Sequence, residues 1–183
     1  LAGAGVRVPK PYSFHEGVLL MELVTDAEGN AAPRLGDLVL TPELAREYHA
    51  ALIRQVVLML CAGIVHGDLS EYNVLVDADG PVIIDLPQAI DAAGNNNAMR
   101  MLVRDVDNLA AYFGQSAPEL LTTDYGNEIW ALYAAGALRP DIELTGVFVH
   151  DETPPDVDAL MRDIDAVAEE EAERQRRLAA ADE

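Results

Sequence analysis

The sequence predicts an α+β fold, a mostly helical lobe that carries a short β-hairpin and follows two strand-like segments. Apolar residues recur at helical spacing over 41–63, 98–113 and 124–135. Two apolar triplets bracket an Asp-Gly turn between 74 and 84, and the first 24 residues alternate or run apolar without a helical period.

Taken in chain order, Leu1–Gly5 has no Met start, so the true N-terminus is expected further upstream. Val6-Arg7-Val8-Pro9 alternates like a strand, and Val18 to Val24 reads as a buried strand after a turn at His15-Glu16-Gly17. Residues 26–36 are polar and rich in Gly, Asn, Ala and Pro, which reads as a loop. Thr41 is a good N-cap and Pro42 suits the first helical position; Leu44, Tyr48, Leu52, Val56 and Met59 then repeat at helical spacing up to a stop at Gly63. The second half of that helix is apolar all round, as expected of a central pillar packed on several sides. A second helix is expected over 98–113, with Met99, Leu102, Val103, Val106, Leu109 and Phe113 on one stripe and Gly114 beyond. Ser116 and Glu119 have the spacing of a capping box, and a third helix is expected from about 124 to 135, ended by Gly136. Residues 151–183 hold 12 acidic against 4 basic residues, a net of −8, with a fading apolar stripe at Val157, Leu160, Met161, Ile164 and Val167. They read as an acidic helix with a solvated end.

Composition narrows the function classes. At 183 residues, 50% apolar and 24% charged, the chain can bury a core. Acids outnumber bases 32 to 12, for a formal net charge of −20, which argues against a non-specific grip on nucleic acid or an anionic membrane surface. The single Cys61 lies in an apolar run and reads as a core thiol, which fits a reducing, cytoplasmic compartment. The longest apolar run, 56–65, is too short to cross a bilayer.

The chemistry is concentrated between His66 and Asp85. His66-Gly67-Asp68-Leu69-Ser70-Glu71-Tyr72-Asn73 runs into Val74-Leu75-Val76, and the partner triplet Val82-Ile83-Ile84 ends at Asp85. Antiparallel pairing of the triplets brings Asn73 and Asp85 together, on the order of 5 Å apart. An amide oxygen and a carboxylate aimed at one point, with Asp68 five residues upstream, form the sparse set of hard oxygen donors that Mg²⁺ takes in phosphoryl-transfer sites. Taken singly, the Asp and Asn residues are common turn or cap residues and a lone His is more often a hydrogen-bonded core residue; the full spacing H-x-D-L-x-x-x-N with an Asp after the next hairpin is that of a kinase catalytic loop and metal loop.

These residues, with Ile83-Ile84-Asp85-Leu86-Pro87-Gln88, resemble the RIO family of atypical serine/threonine protein kinases, whose loops read H-x-D-L-S-E-Y-N and I-D-x-x-Q. Val8-Pro9-Lys10-Pro11 and Leu20-Met21-Glu22 resemble the strands leading to that family's hinge, and Arg104-Asp105-Val106-Asp107-Asn108-Leu109 resembles its helix after the metal loop. The resemblance implies a protein-kinase-like fold. Residues 1–25 would be the end of the N-terminal lobe and the hinge, 26–150 the C-terminal lobe, and 151–183 an acidic tail. It implies ATP and Mg²⁺ as cofactors, and Asp68, Ser70 and Asp85 as catalytic residues. Asn73 and Asp85 would hold the metal, with Asp85 also a transient phosphate acceptor. Met21, Glu22 and Leu23 at the hinge, Leu75 as an apolar floor, and Ile84 would contact the nucleotide. Asp105 would tie down the catalytic loop through backbone N–H groups. The acceptor would be a protein or the enzyme itself, with a partner in ribosome assembly.

Departures from the common kinase pattern accompany these matches. Gly67 stands where many protein kinases carry Arg, Ser70 where they carry Lys, and Leu86-Pro87 replaces Phe-Gly. About a dozen residues separate Asp85 from the next helix, too few for a long activation segment. No Gly-rich loop, strand Lys or Glu-bearing helix precedes Val6, so most of an N-terminal lobe is expected outside this chain, and the chain alone is expected to turn over ATP negligibly. Two other readings stay open: a small-molecule phosphotransferase of the aminoglycoside or choline kinase type, which shares His-Gly-Asp-Leu, and a nucleotide-gated binding module that is not an enzyme.

Overall fold

Thr41 accepts a hydrogen bond from the Leu44 N–H through Oγ1 (3.3 Å), and the helix that this cap opens organises the molecule. In the computed structural model, which describes residues 1–150, helix α1 spans Pro42–Cys61. It buries Leu52, Ile53, Val56, Val57, Met59 and Leu60 and packs against two further helices, α2 (Ala98–Phe113) and α3 (Tyr125–Ala134). The chain divides into the units Leu1–Phe148 and Val149–Glu183. The acidic helix or tail expected over 151–183 lies outside the described residues. Among those described, no helix is long and apolar enough to cross a membrane.

Among the described residues six short strands form three antiparallel pairs. Strand β1 (Pro11–His15) pairs with β2 (Val18–Met21), β3 (Ile64–Val65) with β6 (Ile90–Asp91), and β4 (Val74–Asp77) with β5 (Gly80–Ile83). The last pair is the hairpin expected from the sequence, with Val74 opposite Ile83 and Asp77 opposite Gly80. Asp77 shapes the two-residue turn by accepting the Asp79 N–H at 2.8 Å. Val74 and Ile83 are fully buried in the main core with Leu35, Leu69, Leu109 and Phe113.

Four expectations need correction. Val6–Pro9 is an extended connector rather than a strand: Arg7 C=O accepts the Ile83 N–H (2.8 Å), Arg7 N–H goes to Gln55 Oε1 (2.9 Å), and Pro9 has no N–H for a ladder. The run from Val18 is a strand, but an exposed one. Val18 is 69% and Leu20 59% exposed because a two-stranded ribbon cannot cover its own faces. Ser116 and Glu119 form no capping box. A 3₁₀ turn at Pro118–Thr122 follows Ala117 instead, and the Glu119 carboxylate is taken by Arg46 of α1. Cys61 is exposed, because it lies seven residues after the exposed Arg54 and therefore on the same face of α1.

Candidate active site

The segment that links β3 to β4 is held open from within by one apolar residue. Leu69 is completely buried in the core, while Asp68 beside it is exposed, so the loop is anchored at 69 and presents its carboxylate outward at 68. A 3₁₀ turn over Glu71–Asn73 then delivers Asn73 to the start of β4. Asn73 Nδ2 donates to the Asp68 carbonyl at 2.7 Å and lies 3.4 Å from Asp68 Oδ2. With the amide nitrogen spent on Asp68, the amide oxygen Oδ1 is left for another partner.

Asp85 follows β5. The ladder continues one residue past the strands, Ile84 N–H donating to Asn73 C=O at 3.0 Å, so Asn73 and Asp85 emerge at the same end of the hairpin. Asp85 is exposed, and its backbone sits in the left-handed region at φ +64°. Among the described residues no hydrogen bond to its carboxylate is present, and no group of three or more His, Cys, Asp or Glu side chains comes together as a metal cage. The donors available to an ion here are therefore the Asp85 carboxylate and Asn73 Oδ1, with Asp68 beside them. A hard oxygen set that leaves several positions for water and phosphate fits Mg²⁺.

His66 joins the two loops. Its Nε2 lies 3.0 Å from the Ile84 carbonyl and its Nδ1 lies 3.3 Å from the Asp68 N–H. Both bonds are satisfied by one neutral tautomer, with Nε2–H donating to Ile84 and Nδ1 accepting from Asp68. The residues preceding Asp85 and containing Asp68 thus share one imidazole. His66 is thus a buried, hydrogen-bonded core histidine, as a lone histidine in a sequence more often is.

Asp105, on the buried face of α2 between Leu102 and Leu109, accepts the N–H groups of Gly67 (2.7 Å) and Leu69 (3.1 Å), as expected for a residue that ties down this loop. Burial pushes its carboxyl pKa up, and the two N–H bonds work against that rise. Gly67 has φ +83°, and a Cβ there would lie 2.7 Å from the Gln88 carbonyl oxygen and from Met101 Cε. The close approach of the segment after β5 to the segment after β3 accounts for Gly, rather than Arg, at this position.

A cleft of about 580 Å³ opens beside Asp85, lined by Val8, Pro9, Met21, Ile83, Ile84 and Leu86 among others. Met21 and Ile84, both expected near the nucleotide, line this cleft. Glu22 and Leu23 line a separate, smaller cleft with Arg7 and Asp77, and Glu22 is engaged with Lys10. Leu75 does not line the 580 Å³ cleft either. Alternation along β4 puts it opposite Val82, on the face away from Val74, where it packs with Val24 and Ala32. Ser70 is half-buried; its carbonyl accepts the Asn73 N–H at 3.0 Å and its side chain caps nothing.

A helical lobe whose hairpin presents an Asn and an Asp beside a loop Asp has the arrangement of a protein-kinase-like fold. The family comparison is more specific: residues 1–125 match the model of the RIO domain, and the chain belongs to the RIO family. It is 41% identical over 138 residues to the RIO-type serine/threonine-protein kinase Rio1 of Haloferax volcanii, covering 68% of this chain and 44% of that one. It is 36% identical over 110 residues to the protein of the same name in Methanocaldococcus jannaschii, covering 59% and 36%. The serine/threonine-protein kinase rio1 of Schizosaccharomyces pombe is 32% identical over 114 residues, covering 62% and 23%. The chain therefore spans less than half the length of these relatives.

Proposed function

We propose that the chain carries the phosphoryl-transfer centre of an ATP- and Mg²⁺-dependent RIO-type serine/threonine protein kinase. The observation that carries this reading is that the loop with Asp68 and Asn73 and the strand end before Asp85 are tied together, by the Asn73–Asp68 bonds, by His66 bridging Asp68 and Ile84, and by the Ile84 N–H on the Asn73 carbonyl. When bound, Mg²⁺ supplies charge neutralisation on the nucleotide phosphates. Asn73 Oδ1 and the Asp85 carboxylate would hold it. The exposed Asp68 carboxylate would orient the acceptor hydroxyl and receive its proton as the new P–O bond forms and ADP leaves. Ser70 would offer a neutral hydroxyl on the same loop. Met21 and Ile84 would face the base across the apolar cleft. The work of the chain is then positioning and electrostatics, with the acceptor a Ser or Thr hydroxyl of a cytoplasmic protein or of the enzyme itself.

The test uses the protein expressed from its native gene, with its intact mass recorded and ATP turnover followed with and without Mg²⁺. Asp68→Asn should lower turnover by about 100- to 10,000-fold while Mg²⁺-ADP binding persists. Turnover unchanged by Asp68→Asn would overturn the kinase reading and favour a nucleotide-gated binding module.

A further inference from the structure

Helix α2 turns three polar side chains toward the catalytic loop from positions 104, 105 and 108. Besides the two bonds to Asp105, the Arg104 guanidinium donates to the Gly67 carbonyl, and Asn108 Nδ2 donates to the Leu69 carbonyl at 3.3 Å. Both backbone polar groups of each residue flanking Asp68 therefore end on α2.

The consequence is clearest for the two peptide planes next to Asp68. The 67–68 plane is held at its C=O by Arg104 and at its N–H by His66 Nδ1. The 68–69 plane is held at its C=O by Asn73 Nδ2 and at its N–H by Asp105. With both planes fixed at both ends, the direction of the Asp68 Cα–Cβ bond is set although its carboxylate is exposed. Arg104 is an exposed component of this set. Its side chain is 54% exposed, so water can take its place on the Gly67 carbonyl, but water cannot fix the plane's orientation.

We propose that Arg104 and Asn108 are positioning residues for phosphoryl transfer: Arg104 orients the 67–68 peptide, Asn108 anchors the loop beyond it, and together they aim Asp68. The proposal rests on the reading of Asp68 as the group that receives the acceptor's proton. A catalytic group displaced by a fraction of an ångström loses rate rather than affinity, so the signature is in kcat.

The experiment compares the native-gene protein with its Arg104→Ala, Arg104→Lys, Asn108→Ala and Asp68→Asn variants. Arg104→Ala should lower kcat by about 10- to 100-fold with the KM for Mg²⁺-ATP within about twofold, and Arg104→Lys should recover part of the loss through its single donor. Asn108→Ala should show a smaller drop of the same kind. Amide exchange of residues 67–69 should accelerate in Arg104→Ala while α1 stays protected. An unchanged kcat in Arg104→Ala, or a loss matched by the loss of folded protein without local deprotection, would overturn the proposal. If the parent protein turns over no ATP, or Asp68→Asn keeps full turnover, the fault lies with the phosphoryl-transfer reading. Amide exchange alone then decides: deprotection confined to 67–69 supports the positioning role, and its absence overturns it.

Discussion

Asp85 carries two demands that a single substitution can separate. Its left-handed backbone at φ +64° is costly for any residue with a Cβ, by about 1 kcal/mol, and Gly alone escapes that penalty. Its carboxylate is the proposed metal donor. Asp85→Gly and Asp85→Ala both remove the carboxylate, but only Ala keeps the strain. The Gly variant should be the more stable by about 1 kcal/mol in urea unfolding. Both should lose the Mg²⁺-dependent part of the rise in Tm that ADP produces. Equal stability of the two variants would remove the strain argument. A retained Mg²⁺ dependence in either would remove Asp85 from the metal site.

The elements around the site are tied together by Arg7, whose guanidinium meets both carboxylate oxygens of Asp77 (2.8 and 2.7 Å) and the Pro81 carbonyl (3.2 Å). Gln55 of α1 bridges the Arg7 N–H and the same Pro81 oxygen, at 2.9 and 3.0 Å. The hairpin that carries Asn73 and Asp85 is thereby fastened to α1 and to the connector before β1. Burial alone would raise the Asp77 pKa, but Arg7 and the N–H groups of Asp79 and Gly80 outweigh it and hold the carboxyl below its ordinary 3.8. A depressed carboxyl pKa stabilises the fold above the unfolded value, and that stability is lost as pH falls through the folded one. Asp77→Asn should therefore cost on the order of 1 kcal/mol at pH 7, and the gap in Tm from the parent should narrow as pH is lowered beyond the ordinary carboxyl value of 3.8. A gap that does not narrow as pH is lowered beyond 3.8 would assign the loss to packing. This scale also shows what the sequence made legible. The three helices were readable because Thr41, Gly114 and Asp124 punctuate long periodic runs. The β3–β6 pair was not, since two residues per strand carry no period. At the site, the local order His66 to Asn73 was visible in the chain. The bonds from Arg104 and Asn108 span 37 and 39 residues, and no local pattern encodes them.

For the molecule as a whole, acid should act through one residue above all. His49 lies on α1, 2% exposed, its Nε2 without a hydrogen-bond partner and its ring 5.7 Å from those of both Phe113 and Tyr125. Burial pushes its pKa down from 6.5 to about 4. The folded protein therefore keeps this ring neutral where the unfolded chain binds a proton. Between those two values the unfolded state binds more protons, so stability must fall as pH drops from about 6.5 to 4, with a total penalty on the order of 3 kcal/mol. The net charge of −20 works in the opposite sense, because protonating surface carboxylates relieves self-repulsion. A raw pH profile mixes the two, and a variant separates them. Met at position 49 has a similar volume, favours helix and places no polar atom among the aromatic rings. Relative to the parent, His49→Met should gain Tm steadily as pH is lowered from 6.5 to 4 and hold that gain below. A difference in Tm that stays constant across this window would mean that His49 takes up its proton without leaving the core, and any acid sensitivity would then belong to paired carboxylates such as Asp77.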